Sequence, residues 1–194
     1  MTAIEEWNKE AANALRKAAD EIAKAPPPKL MGEERISFAK IASDAYAAIE
    51  RVTQGIDRDR AIYIITLDEA ADPAAFRAAL TQERGDKSSD LKLPQLNPAP
   101  VETDVHRVVY VGSSCATTAT RKKTTAGRLR QHLVQAPRGT YALNLSRWTG
   151  ALRGGIVVQV FNYPEDVERD VVVAVEDQLS QHLSPICGRR GIQR

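Results

Sequence analysis

The chain has 194 residues, of which 43% are hydrophobic and 27% charged, enough for one well-packed domain with an appendage. No apolar run reaches membrane-spanning length and the N-terminus MTAIEEWNKE is acidic rather than signal-like, so a cytoplasmic protein away from the membrane is expected. Two cysteines, Cys115 and Cys187, make neither a disulfide framework nor a zinc site, and the net charge of +2 conceals a strong segregation of sign.

Residues 1–105 carry 14 Lys/Arg against 19 Asp/Glu, and residues 154–194 carry 4 against 6. Between them, residues 106–153 carry 9 Lys/Arg and no acid. An acid-free block of that length is the footprint expected for a polyanion, with a merely solvated basic face as the alternative.

In chain order, Ile4, Trp7, Ala11, Leu15, Ala18 and Ile22 recur at helical spacing, which predicts a helix over residues 2–24. Pro26-Pro27-Pro28 ends it. Ile36, Ile41, Ala45, Ala48, Ile49 and Val52 predict a second helix from about Glu33 to Val52. The pair suits a cap on the core or a hairpin through which two copies form a homodimer. Residues 1–56 are accordingly an N-terminal helical extension.

Ala61–Leu67, AIYIITL, reads as a buried strand. Asp72-Pro73 starts a helix to about Gln82, and residues 84–104 are polar, with Pro94, Pro98 and Pro100 and no periodicity. His106–Gly112 is the second strand, followed by a small basic loop, SSCATTATRKKT, and a helix from Thr125 to Gln135. Pro137–Thr149 suits one more short helix. Gly154-Gly155 precedes the third strand, IVVQVF, and Pro164–Leu183 is the last helix, with Val167, Val171, Val175, Leu179 and Leu183 in a row. The fold class expected is therefore α/β (α+β). A small, three-stranded, mostly antiparallel sheet is flanked by helices, with the helical extension and a long insertion at 68–105 between the first two strands.

Four stretches carry chemistry. The second strand ends Tyr110-Val111-Gly112, and the helix after it places Arg128 and His132 four apart, on one face. Glu176 lies on the shoulder of the apolar row of the last helix, where a divalent cation would offset the cost of burying its charge. An exposed glutamate beside Asp177 is the alternative reading there.

Ile62-Tyr63, the Tyr110-Val111-Gly112 strand end, Arg128 with His132, and Glu176 in a late helix stand in the order of the GIY-YIG nucleases. The chain resembles that family over residues 60–191. VYVGSS followed by R-x-x-x-H is similar to the homing-enzyme form, and L-S-P-I-C-G-R-R-G to the ending of many bacterial members. The first motif reads Ala61-Ile62-Tyr63, without its glycine, and a long insertion replaces the family's short hairpin between the tyrosines.

The resemblance implies a GIY-YIG-like nuclease domain over 57–194. Its function would be a metal-dependent endonuclease hydrolysing DNA phosphodiester bonds, of the restriction or phage-defence kind. It implies a catalytic set of Tyr63, Tyr110, Arg128, His132 and Glu176, with Glu176 holding Mg²⁺ or Mn²⁺. Arg128 would bind the phosphoryl oxygens and one of the tyrosines would orient or deprotonate water. Arg121, Lys122, Lys123, Arg130, Arg138 and Arg147 would contact the DNA backbone. Two other readings stand beside this one: a non-catalytic nucleic-acid-binding module on the same fold, and a single-strand or RNA nuclease.

Overall fold

A computed structural model describes residues 3–56, 60–86, 88–98, 107–115, 124–137 and 139–188. Helix α1 spans Ala3–Lys24, strand β1 Lys29–Ser37 and helix α2 Ile41–Thr53. Strand β2, Ala61–Leu67, is followed by helix α3, Pro73–Gly85. Strand β3, Val108–Ser114, leads to helix α4, Thr125–Leu133, and strand β4, Gly155–Asn162, to helix α5, Arg169–Leu183. Helix α3 begins as its sequence dictates: Pro73 stands in the first turn and the Asp72 carboxylate accepts from the Ala74 amide at 2.8 Å. At the start of α4, the Thr124 hydroxyl accepts from the Gly127 amide at 3.1 Å.

The four strands form one antiparallel sheet in the order β1-β4-β2-β3. The mixed α/β class and the antiparallel sheet stand, but among the described residues the sheet has four strands where three were expected. The added strand is β1, which occupies the start of the helix expected from Glu33 to Val52; the helix itself begins at Ile41. A charged sheet edge explains the difference. Ile36 is the one residue of β1 that is buried, while Glu33, Glu34 and Arg35 project from the margin and discourage further strand addition. They meet Gln159, Arg51 and Glu69 at 2.6, 2.6 and 2.7 Å. Part of the expected N-terminal extension thus supplies the sheet with an edge strand and with the helix that covers it.

Two apolar clusters lie on opposite faces of the sheet. The larger joins Ile41, Ala45, Ile49 and Val52 of α2, Leu129 and Leu133 of α4, Phe76 and Leu80 of α3, and the β2 residues Tyr63 and Ile65. The smaller joins Ile62 and Val111 to Val167, Val171 and Val172 around α5. Between them β2 is sealed, as its alternation requires: successive residues face opposite clusters. Helix α1 packs on the smaller cluster through Ile22 near its end, whereas Trp7 and Leu15 remain 63% and 72% exposed.

The long connection after α3 is tied down through its backbone. Residue Lys92 bridges to Tyr141 and Leu96 to Cys187, and the Asn97 side chain donates to the Pro185 carbonyl at 2.8 Å. The Ile186 and Cys187 amides donate to the Val108 and Val109 carbonyls at 2.7 and 3.1 Å, so the segment after α5 runs along β3. The expected short helix within Pro137–Thr149 reduces to one 3-10 turn, Leu145–Arg147. Among the described residues, no helix is long and apolar enough to cross a membrane.

The β1–β4 pairing has a direct test. A Cβ at Gly155 would run into the Ile36 carbonyl and stand 2.8 Å from the Ser37 Cα, while one at Gly150 meets nothing within 4 Å. Gly155→Ala is expected to lower stability by about 1–3 kcal/mol in urea unfolding, and Gly150→Ala to stay within about 0.5 kcal/mol of the parent. Equal midpoints for the two variants would contradict this strand register.

Candidate active site

Strands β2 and β3 pair with Tyr63 opposite Gly112 and Ile65 opposite Tyr110. Because residues two apart share a face, both tyrosines project from the same side of the sheet. Their rings lie 6.2 Å apart with planes 15° from parallel. Gly112 makes this possible, since a Cβ there would come within 2.5 Å of the Tyr63 hydroxyl and 2.8 Å of the Tyr110 ring. The phenol of Tyr63 thus lies across β3, over the one position without a side chain.

The third member arrives from α4. His132 is 3% exposed, its ring 4.3 Å from that of Tyr110, and its Nε2 stands 3.2 Å from the Tyr63 hydroxyl. The Leu143 amide donates to His132 Nδ1 at 3.4 Å. An imidazole nitrogen that accepts carries no proton, so the neutral ring holds its proton on Nε2 and donates it to the Tyr63 oxygen. Arg128, one turn earlier on α4, is exposed, and its charge acts on both Tyr63 and His132.

Glu176 comes from α5, on the opposite face of the sheet. It is half-buried and accepts a short hydrogen bond from the Ser113 hydroxyl. Alternation along β3 turns Ser113 away from Tyr110 and Gly112 and toward α5. Sequence reasoning missed Ser113; the signal available was the Gly-Ser-Ser run directly after the second tyrosine. It also missed Leu143, whose backbone contribution leaves no trace in residue type.

The electrostatics are uneven. Burial, then the neighbouring Tyr110 and Glu176, push the Tyr63 phenol well above the usual tyrosine range, and Arg128 pulls it down. His132 is pushed down to about 3, first by burial and then by Arg128, so its ring is neutral near pH 7. Tyr63 is 2% exposed and Tyr110 half-buried, which leaves Tyr110 as the phenol nearer to solvent.

The structure brings Tyr63, Tyr110 and His132 together, with Arg128 and Glu176 in electrostatic reach of Tyr63. The outlying basic residues are dispersed. Arg130 is exposed, and Arg147 pairs with Asp90 at 2.9 Å on the surface. Arg121, Lys122, Lys123 and Arg138 lie outside the described residues. Trp148 is structural: its indole donates to the Leu143 carbonyl at 2.7 Å and its ring lies 5.1 Å from Phe76. Tyr141 is exposed beside Lys92. Among the described residues, no group of three or more His, Cys, Asp or Glu side chains is placed to hold a metal. The half-buried Glu176 carboxylate, beside the Ser113 oxygen, fits a Mg²⁺ that keeps several waters and takes further oxygens from a substrate phosphate.

The buried imidazole has a pH consequence. Above pH 6.5 neither the folded nor the unfolded chain protonates His132; as pH falls from 6.5 toward about 3, the unfolded chain gains a proton that the folded chain refuses. The residue therefore removes stability on acidification, by about 1.4 kcal/mol per pH unit at full effect. Replacing it by the non-titrating glutamine should make the stability gap between parent and His132→Gln shrink as pH drops from 7 to 4, in urea unfolding at each pH. A gap that stays constant would show that the ring is open to protonation in the folded state.

Compared with known proteins, the chain matches no protein-family model, no curated protein and no solved structure.

Proposed function

We propose that the chain is a metal-dependent endonuclease of the GIY-YIG type that hydrolyses DNA phosphodiester bonds. The observation that carries this reading is the juxtaposition of two stacked tyrosines on paired strands with a histidine from the next helix, with Arg128 and Glu176 acting on Tyr63 with opposite charge from the two faces of the sheet. The acid-free block of residues 106–153 supports a polyanionic substrate.

The side chains divide the work. Arg128, exposed and always charged, binds the scissile phosphate and stabilises the charge that grows on its oxygens. Tyr110, half-buried, orients the attacking water. His132, neutral, holds the Tyr63 oxygen through Nε2–H and is not a general acid, since the N–H of a neutral imidazole is far too weak an acid to give up its proton near pH 7. Glu176 would hold a divalent ion, whose chemistry there is to stabilise charge on the leaving oxygen. With a cation at Glu176, the carboxylate field that raises the proton affinity of Tyr63 would be offset. We place the activity in restriction or phage defence.

The second reading is a module that binds nucleic acid without cutting it, and the burial of Tyr63 and His132 favours it, because neither presents a proton-transfer atom to bulk water. Cleavage of plasmid DNA against Mg²⁺ concentration separates the two. Arg128→Ala is expected to lower the rate by about two to three decades at every Mg²⁺ concentration. Glu176→Gln should raise the Mg²⁺ needed while DNA binding persists. Parent-like cutting by Glu176→Gln would reject the metal role, and a parent chain that binds DNA but never cuts it would favour the binding module.

Binding has its own measurement. Affinity for duplex DNA should fall with salt at a log–log slope of about −0.9 per phosphate contact. Charge reversal at Arg130 and Arg147 together should make the slope shallower by about one to two contacts. Salt-insensitive affinity would count against a backbone-reading interface.

A further inference from the structure

The histidine that touches Tyr63 is aimed by a segment remote from it in sequence. Leu143, whose amide meets His132 Nδ1, sits in an irregular stretch just past the Tyr141–Lys92 bridge and the Ala142 amide bond to the Lys92 carbonyl, so its own orientation has to be imposed. Asn144 imposes it. Its backbone is left-handed, at φ 48° and ψ 44°, a conformation asparagine tolerates better than most residues. Its side chain is 2% exposed and bonded at both ends: Oδ1 accepts from the Ala136 amide at 2.7 Å, and Nδ2 donates to the Ala142 carbonyl at 3.1 Å. Ala136 lies just past the end of α4, the helix that carries His132.

One side chain therefore fastens both the peptide before Leu143 and the exit of the histidine's own helix. Ser146 adds a bond to the Val134 carbonyl at 2.8 Å, and Trp148 holds the Leu143 carbonyl at 2.7 Å. With its carbonyl fixed from one side and its neighbours from the other, Leu143 can aim its N–H only toward the imidazole.

The geometry points to Asn144 as a positioning residue that locks His132 in the tautomer with the proton on Nε2, aimed at the Tyr63 oxygen. An amide is needed because it both accepts and donates. Aspartate would keep the bond from Ala136 but would set a second acceptor against the Ala142 carbonyl. Glycine would keep the left-handed backbone and lose both bonds. The catalytic consequence rests on the nuclease reading; the tautomer does not.

The test is nitrogen NMR of chain labelled with ¹⁵N-histidine, near pH 7, with resonances assigned through His132→Gln. In the parent, His132 should show a directly bonded proton on Nε2 and none on Nδ1. In Asn144→Gly the ring should become a mixture of tautomers, and in Asn144→Asp the same change should appear in milder form, which covers the case in which the glycine variant does not fold. Cleavage by the folded variants should lose about tenfold in kcat at unchanged KM for DNA.

A proton on Nδ1 in the parent would overturn the assignment. So would a folded Asn144→Gly or Asn144→Asp chain that keeps the single Nε2–H tautomer. A parent that cuts no DNA but shows these tautomer changes would remove the nuclease reading and leave the role of Asn144 standing.

Discussion

A phenol hydroxyl in the middle of a sheet is the constraint around which the other parts are arranged. Strand β2 lies between β4 and β3 with a helix layer on each face, so the Tyr63 hydroxyl is shut off from bulk solvent. Leaving such a group unpaired would cost roughly 1–3 kcal/mol. The partner is His132, and the contact sets several further requirements. The ring must sit above β3, so the position beneath it has to be glycine. The imidazole must be buried too, so its second nitrogen needs a donor, and a backbone amide eleven residues further on supplies it. A hydroxyl in one strand in this way dictates a residue in the next strand, a residue in the next helix and a loop conformation beyond that.

The charges around this neutral core are kept apart. Arg128 approaches from the helix layer on one face and Glu176 from the helix on the other, and they act on Tyr63 with opposite sign. An arrangement of this kind holds neutral, polarisable groups at its centre and full charges on either side. Anionic ligands would meet Arg128 at the surface first, and the interior would respond through hydrogen bonds rather than through net ionisation. The Ser113–Glu176 contact couples the sheet to the last helix, so displacement of α5 would be felt at the end of β3.

Much of the scaffold was legible because its signals are local. The apolar run AIYIITL became β2 at the expected bounds, and Asp72-Pro73 opened α3 as capping chemistry requires. The proximity of Tyr63 and Tyr110 was expected from motif order alone, since 47 positions of sequence separate them and no pattern of periodicity reports on pairing over that distance. Strand β1 was illegible for a physical reason. An edge strand buries little, so KLMGEERIS alternates too weakly to compete with the helical spacing of Ile36, Ile41 and Ala45. The burial of His132 was hidden as well. Arg128 and His132 share a helix face, but that face runs from solvent into the core, and residue type alone does not say where along it the boundary falls. The loop around Asn144 acts through backbone groups, which leave no compositional mark.

The position of β1 at the edge also bears on the order in which the chain can assemble. Its partner is β4, and Lys29 pairs with Asn162, so more than a hundred residues must be made between the two strands. At a synthesis rate of roughly 5–20 residues per second, β1 waits on the order of ten seconds without its ladder. During that interval a greasy strand would recruit strands from neighbouring chains. The Glu33-Glu34-Arg35 run keeps β1 soluble while it waits. The same three residues that blur the strand's alternation in the sequence would let it survive as an unpaired strand until the sheet can close.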